Sequence, residues 1–145
     1  MYYVSKNLKS FATTHRLGKG YPNKCKNLHG HNYFVEVTLK SEILDQYGMV
    51  IDFGDIKKYF DTWLQENWDH ATLVSADDGS LLGFLQSEDQ RKYVVPSGNN
   101  STAEWMSKFL FVKFSQILQE NNRNIKMHAV KVWETKDSYA TYMEQ

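Results

Sequence analysis

Residues 29–39, with the sequence HGHNYFVEVTL, decide the fold that this chain is expected to adopt. The odd positions read His, His, Tyr, Val, Val and Leu, which is the period of a strand with one buried face. Phe11, Thr13 and His15 alternate in the same way, and a loop rich in glycine and lysine, residues 18–26, connects the two stretches. We therefore predict two strands early in the chain, which the loop can bring side by side.

Two helices are predicted after this pair of strands. Residues 52–55, DFGD, are typical of a helix start, and apolar residues then recur at helical spacing through residues 56–64. Residues 101–104, STAE, match a capping box, in which Ser101 is the helix cap. The apolar pattern behind this box predicts a long helix that ends near Asn121.

Residues 125–133 and 139–143 are predicted to be the closing strands, so the element order is strand, strand, helix, helix, strand, strand. This order favours an α+β fold, a four-stranded antiparallel sheet with two helices on one face, in a single domain over residues 1–145. Residues 75–98 show no clear period apart from a short strand at residues 93–95. Because such a sheet has two open edges and one uncovered face, we also expect self-association.

The composition narrows the classes of function. A chain of 145 residues with 41% apolar residues is large enough to bury one core. Lys plus Arg equals Asp plus Glu at 17 each, so nothing marks a nucleic-acid-binding protein. No apolar run approaches the ~20 residues of a membrane span, and the first residues lack the apolar core of a signal peptide, so we expect a cytoplasmic protein without membrane contact. The single cysteine, Cys25, excludes an intrachain disulfide.

Three histidines form a candidate metal site. His29 and His31 are two positions apart on a predicted strand, so both imidazoles point to the same face, and His15 lies on the preceding strand. Three histidine ligands leave one position of a tetrahedral site open, as catalytic zinc sites do. The alternative is that these are ordinary polar or core histidines, since an isolated His-x-His pair is a weak motif. Three of the five histidines fall within seventeen positions, which favours the metal site.

Cys25 has two alternative roles. Together with the three histidines it could complete a closed, structural zinc site. It could instead be a reactive thiol, because Arg16, Lys19, Lys24 and Lys26 surround it without an acidic residue, and positive neighbours favour the thiolate. A charge run of this kind is usually a solvated loop. Here its position beside a candidate metal and a thiol favours anion binding.

The same residues resemble a known family. Phe11 and His15, followed by CKNLHGHNY at residues 25–33, are similar to the signature of the 6-pyruvoyl-tetrahydropterin synthase and 6-carboxy-tetrahydropterin synthase family. Further blocks occur in the order that the family has, namely GMVIDF at residues 48–53, WDH at residues 68–70, NSTAE at residues 100–104 and WET at residues 133–135. The resemblance therefore covers nearly the whole chain.

The resemblance implies a tunnelling fold, in which the sheets of several subunits join into a barrel. It implies a homohexamer built from two trimers, with active sites at subunit boundaries. It also implies a Zn²⁺ ion bound by His15, His29 and His31. The resemblance assigns the remaining roles by position: Cys25 as the proton-abstracting thiolate, Asp69 and His70 as a second acid–base pair, Glu134 as the carboxylate that holds the pterin ring, and Thr102 as a further substrate-binding residue.

The substrate that the resemblance implies is 7,8-dihydroneopterin triphosphate. The three-residue gap between Cys25 and His29 resembles the bacterial 6-carboxy branch, a lyase of 7-deazaguanine and queuosine synthesis that releases triphosphate and acetaldehyde. Two alternatives stay open: a 6-pyruvoyl synthase, which eliminates triphosphate without cleaving the side chain, and a non-catalytic structural zinc protein. The family often has proline at the position of Ser101, a difference that we expect to change little.

Overall fold

The strand predicted at residues 29–39 is present in the computed structural model and extends over His29–Ser41. The structure describes residues 1–18, 20–121 and 123–144. A π-helical turn at Lys57–Asp61 joins the helices Phe53–Ile56 and Thr62–Asn67, and a 3₁₀ turn covers Lys24–Lys26. No helix in these residues is both long and apolar enough to cross a membrane. The elements are β1 (Tyr2–Asn7), β2 (Phe11–His15), β3 (His29–Ser41), α1 (Phe53–Ile56), α2 (Thr62–Asn67), β4 (Ala71–Ser75), α3 (Gly79–Ser87), β5 (Lys92–Val95), α4 (Ala103–Glu120), β6 (Lys126–Trp133) and β7 (Tyr139–Met143).

β1 and β2 lie one after the other along the same edge of β3. β1 pairs with residues 36–41 and β2 with residues 29–33, both in antiparallel orientation. β6 pairs with the opposite edge of β3, and β7 pairs with β6, again antiparallel. β2, β3, β6 and β7 form the predicted four-stranded antiparallel sheet, to which β1 adds a strand that was not predicted, and the α+β class is confirmed.

The sheet is larger than the sequence predicted. β4 pairs with β2 in parallel orientation, and β5 pairs with β4 in the same way. Within the described residues the sheet therefore has seven strands, in the order β5-β4-β2-β3-β6-β7, with β1 also on β3. The short strand predicted at residues 93–95 is β5, and its prediction is confirmed.

Residues 75–98 also contain α3, a helix that the sequence analysis missed. Its buried residues Leu81 and Leu85 pack with Val74 in a small core of their own, apart from the main one. Two buried positions in nine residues are too few to show a helical period in the sequence. The described part of the chain thus has a further helix beside the two that were predicted.

The main core lies between one face of the sheet and the predicted helices. The odd positions of β3 from Tyr33 to Leu39 are at most 1% exposed, as the alternation predicted. The helical segment α1–α2 and helix α4 cover this face, and the rings of Phe60 and Phe114 stack with their centroids 4.2 Å apart. Burial on this scale fixes the register of β3, because a slip by one residue would turn its apolar side chains to solvent.

The helix starts are close to their predicted places. The Asp52 carboxylate accepts a hydrogen bond of 2.6 Å from the Gly54 N–H at the start of α1. At α4 the cap is Thr102, whose Oγ1 accepts a hydrogen bond from the Trp105 N–H, so the prediction of Ser101 as the cap is wrong by one residue. The Ser101 side chain is buried and hydrogen-bonded to His15 instead.

Candidate metal centre and active site

The pairing of β2 with β3 brings the three predicted metal ligands together. The antiparallel register places His15 directly opposite His29, and His31 follows two residues along on the same face. The ring centroids of His15 and His29 are 4.7 Å apart, and those of His29 and His31 are 4.9 Å apart. The pairing of the two strands thus gathers the three imidazoles into a compact cluster.

The hydrogen bonds at Nδ1 of His15 and His29 leave the lone pair of each ring on Nε2, the nitrogen that could bind a metal. His15 Nδ1 lies 2.9 Å from the Ser101 carbonyl oxygen, and His29 Nδ1 lies 2.7 Å from the Asn27 carbonyl oxygen. A carbonyl can only accept, so each Nδ1 carries the proton and each Nε2 keeps its lone pair. Among the residues that the structure describes, the Nε2 atoms of His29 and His31 have no hydrogen-bond partner, and both are buried. Buried acceptors of this kind fit a bound cation.

Burial also keeps the histidines in the form that binds metal. Desolvation, followed by the neighbouring His29, lowers the pKa of His15 to about 4. Desolvation lowers the pKa of His31 as well, although the Glu134 carboxylate opposes this shift. Both rings are therefore neutral near pH 7, and neutral imidazole is the ligand form of histidine.

Glu134 joins the cluster as a fourth donor. β6 ends at Trp133, opposite Phe34, so Glu134 emerges beside the start of β3. One ligand atom from each of the three histidines and from Glu134 lie within 4.8 Å of one another. The Glu134 Oε1 is 2.8 Å from His31 Nε2, without the alignment of a hydrogen bond. Three imidazoles and a carboxylate are a donor set that suits zinc, so the residues present fit the implied ion.

Cys25 lies beside the cluster but outside its set of donors. It is the middle residue of the turn Lys24–Lys26, and its carbonyl accepts a 3.0 Å hydrogen bond from the Leu17 N–H, which ties the turn to the end of β2. The side chain is partly exposed. A cavity of about 220 Å³ is lined by His15, Leu17, Tyr21, Cys25, His29, Thr102, Ala103, Glu104 and Glu134. Cys25 therefore lines the same cavity as His15, His29, Glu134 and the predicted substrate residue Thr102.

The basic loop supplies fewer free charges than its sequence indicated. Arg16 donates from Nε and Nη2 to the two carboxylate oxygens of Asp78, each at 2.7 Å, so its charge is neutralised. Lys24 and Lys26 are exposed beside Cys25. Lys19, which the sequence analysis counted with them, lies outside the described residues.

Asp69 and His70 form a pair in direct contact. The Asp69 Oδ2 lies 2.8 Å from His70 Nδ1, and its Oδ1 accepts a hydrogen bond from the Ala12 N–H. Burial alone would raise the pKa of Asp69, but these two hydrogen bonds together lower it. The His70 side chain is 81% exposed, and its backbone has a φ of 59°, in the left-handed region. An ionised aspartate thus holds an accessible imidazole.

This pair is not in the Cys25 cavity. His70 borders a second cavity of about 450 Å³, whose wall includes Ala12, Thr14, Asn32 and the metal-ligand candidate His31. Among the described residues none lines both cavities: His15 and His29 line the cavity of Cys25, whereas His31 lines that of His70. One chain therefore brings Cys25, Glu134 and Thr102 to the cavity of His15 and His29, but leaves Asp69 and His70 outside it.

Two side chains at the cluster were missed by the sequence analysis. Serine in place of proline at position 101 was expected to change little, yet the Ser101 Oγ lies 2.9 Å from His15 Nδ1. Tyr33 was assigned to the core, yet its buried hydroxyl is 3.4 Å from His15 Nε2. Burial, followed by the Glu134 charge, raises the pKa of Tyr33, so its hydroxyl stays neutral. The position of Tyr33 on the same strand face as His31 was the available signal, whereas Ser101 had none.

Comparison with known proteins places the chain among pterin enzymes. A family model described as 6-pyruvoyl tetrahydropterin synthase matches residues 3–145. The 6-carboxy-5,6,7,8-tetrahydropterin synthase of Rickettsia bellii is 33% identical, over 89% of this chain and 91% of that protein. The protein of the same name from Haemophilus influenzae is 28% identical, over 99% of this chain and all of the relative.

Solved structures share the fold. An uncharacterised protein from Wolinella succinogenes superposes with a TM-score of 0.81 at 22% identity, covering 99% of this chain and 98% of that one. The 6-pyruvoyl tetrahydropterin synthase of Caenorhabditis elegans superposes with a TM-score of 0.67 at 24% identity, covering 100% and 98%. At these identities the likeness concerns the fold alone.

Proposed function

Since the chain belongs to the 6-pyruvoyl tetrahydropterin synthase family, we propose that it is a lyase of the 6-carboxy-tetrahydropterin synthase type. The reaction converts 7,8-dihydroneopterin triphosphate and one water to 6-carboxy-5,6,7,8-tetrahydropterin, acetaldehyde and triphosphate. The names of the Rickettsia bellii and Haemophilus influenzae relatives support this activity. The product would serve 7-deazaguanine and queuosine synthesis, as the resemblance of the sequence implies.

The observation that carries the proposal is the cluster of His15, His29 and His31 beside Cys25. We assign a Zn²⁺ ion to the Nε2 atoms of these histidines, because those of His29 and His31 are buried without a hydrogen-bond partner among the described residues. When bound, such an ion acts as a Lewis acid that lowers the pKa of a coordinated hydroxyl and of the adjacent carbon acid. The position of Glu134 within 4.8 Å of the same atoms allows it either to complete this site or to bind the pterin ring.

The side chains of the chain have separate tasks in the proposed reaction. Cys25 accepts a proton from the substrate side chain in the cavity that it shares with His15 and His29. Glu134 accepts the paired N–H groups of the pterin ring and thereby orients the ring. His70, held by Asp69, moves a proton at the other side of the substrate. The 2.8 Å contact between Asp69 and His70 supports their assignment as an acid–base pair.

The separation of His70 from Cys25 bears on the oligomeric state. In one chain these residues border different cavities, and the His70 imidazole is exposed to solvent. A reaction that needs both groups would therefore use His70 from one subunit and Cys25 from another. This arrangement supports the proposal of a homohexamer with active sites at subunit boundaries.

A second candidate is the 6-pyruvoyl synthase reaction, which eliminates triphosphate and rearranges the side chain without cleaving it. The family model that matches residues 3–145 carries the name of that activity, and both reactions would use the same groups. A purely structural zinc site is less well supported, because Cys25 is not one of the four clustered donors.

The test is to incubate zinc-loaded protein with 7,8-dihydroneopterin triphosphate and to identify the products by mass. Acetaldehyde together with the 6-carboxy product would support the proposal, and a 6-pyruvoyl product without acetaldehyde would favour the second candidate. Cys25→Ala is the matched control for contaminating activity. Zinc-loaded protein that leaves the substrate intact would contradict both activities.

A further inference from the structure

Ser101 has a side chain whose position the helix start does not explain. It is 4% exposed and immediately precedes Thr102, which is the cap of α4. The hydroxyl of Thr102 already accepts the hydrogen bond from the first turn of the helix. The Ser101 hydroxyl is therefore buried for another reason.

Its partner is His15, 86 positions earlier in the chain. Both the carbonyl oxygen and Oγ of Ser101 lie 2.9 Å from His15 Nδ1, so the single N–H of the neutral ring points at two acceptors of one residue. His29, by comparison, has its Nδ1 beside a single carbonyl, that of Asn27, two positions before it. His15 thus depends on a contact between β2 and the start of α4.

The Ser101 hydroxyl gives the His15 Nδ1–H a second acceptor beside the Ser101 carbonyl oxygen. His15 is 2% exposed, so water has little access to replace a lost acceptor at Nδ1. Two acceptors on one side of the ring hold the proton at Nδ1 and restrict rotation of the imidazole. The opposite nitrogen, Nε2, then carries the lone pair and lies in the cluster, with the Tyr33 hydroxyl 3.4 Å away.

We propose that Ser101 is a positioning residue for His15: its hydroxyl is a second acceptor for the Nδ1–H and fixes Nε2 as the atom that coordinates the metal. This role rests on the metal site of the proposed function. It also differs from the expectation that serine in place of proline at position 101 changes little. Partners of this kind typically change metal affinity by 10-fold to 100-fold when they are removed.

The test compares Ser101→Ala with Ser107→Ala. Ser107 is also buried on the α4 side of the core, at 1% exposure, but its hydroxyl donates to the Glu104 carbonyl and does not contact His15. Zinc affinity is measured by competition with a chelator, and ¹H–¹⁵N spectra of the metal-free proteins report which nitrogen of each histidine carries the proton. We expect Ser101→Ala to bind zinc about 10-fold more weakly and to shift the His15 signals but not those of His29. Ser107→Ala should do neither, and Ser101→Thr, which keeps the hydroxyl, should recover most of the affinity.

These measurements distinguish the role proposed for Ser101 from the existence of the metal site. Wild-type protein that takes up no zinc would refute the metal site, and the metal-free spectra would then still decide the role of Ser101. Unchanged His15 signals in Ser101→Ala overturn the proposal, whether or not zinc binds. An equal loss of zinc affinity in Ser107→Ala would also overturn it, because the effect would then be a general response to a lost buried hydroxyl.

Discussion

Replacing Cys25 by alanine distinguishes an enzyme from a structural zinc protein. The hydrogen bond that ties the Cys25 carbonyl to the Leu17 N–H is a backbone contact and survives the change. The side chain is partly exposed, so the loss of its sulfur should cost less than about 0.5 kcal/mol of unfolding free energy. The four clustered donors remain, so bound zinc should stay near one ion per chain.

Turnover of Cys25→Ala should nevertheless fall by about 10² or more, the usual consequence of losing a general base, which is about 2.7 kcal/mol of activation free energy. The assays are elemental analysis for zinc, thermal unfolding, and product formation from 7,8-dihydroneopterin triphosphate. Because the chain has a single cysteine, iodoacetamide modifies one site, and bound substrate should slow that reaction. Loss of zinc together with a marked fall in melting temperature would refute the catalytic role, since a closed structural site contributes folding energy directly.

Four further predictions follow from the same geometry. His31→Ala should hold well below one zinc per chain by elemental analysis, and full occupancy would remove His31 from the ligand set. Glu134→Gln should keep zinc but lose at least about 2 kcal/mol of substrate recognition, because it removes a charged acceptor. Steady-state kinetics would show this loss as a raised KM or a lowered kcat/KM. Loss of zinc from this variant would instead make Glu134 a metal ligand. Light scattering should give a mass several times the 17.0 kDa chain, and a fully active monomer would rule out a shared site. Asp78→Ala removes the α3 cap and the partner of Arg16, so urea unfolding should show a loss of about 2 kcal/mol, with Ser87→Ala, at the other end of α3, close to wild type as the control.

The elements that the sequence predicted well are those whose signal is local. The alternation from Tyr33 to Leu39 in β3 and the helical period of α4 report which side of each element is buried, and both were confirmed. The elements it missed are short or have few buried residues. Helix α3 buries two leucines, β1 buries none of its six residues, and β4 is only five residues long, so none of them shows a clear period.

The sequence by itself determined that His29 and His31 share a strand face and that His15 alternates on the neighbouring strand, because the two-residue period of a strand is a property of its backbone. Only the tertiary structure decided which groups stand around these rings. The β3–β6 register brings Glu134 to His31, and the start of α4 brings Ser101 to His15. The same packing pairs Arg16 with Asp78 and places His70 in a different cavity from Cys25. Such contacts join residues that are far apart in sequence, and they depend on how whole elements pack rather than on the pattern of residues within any one of them.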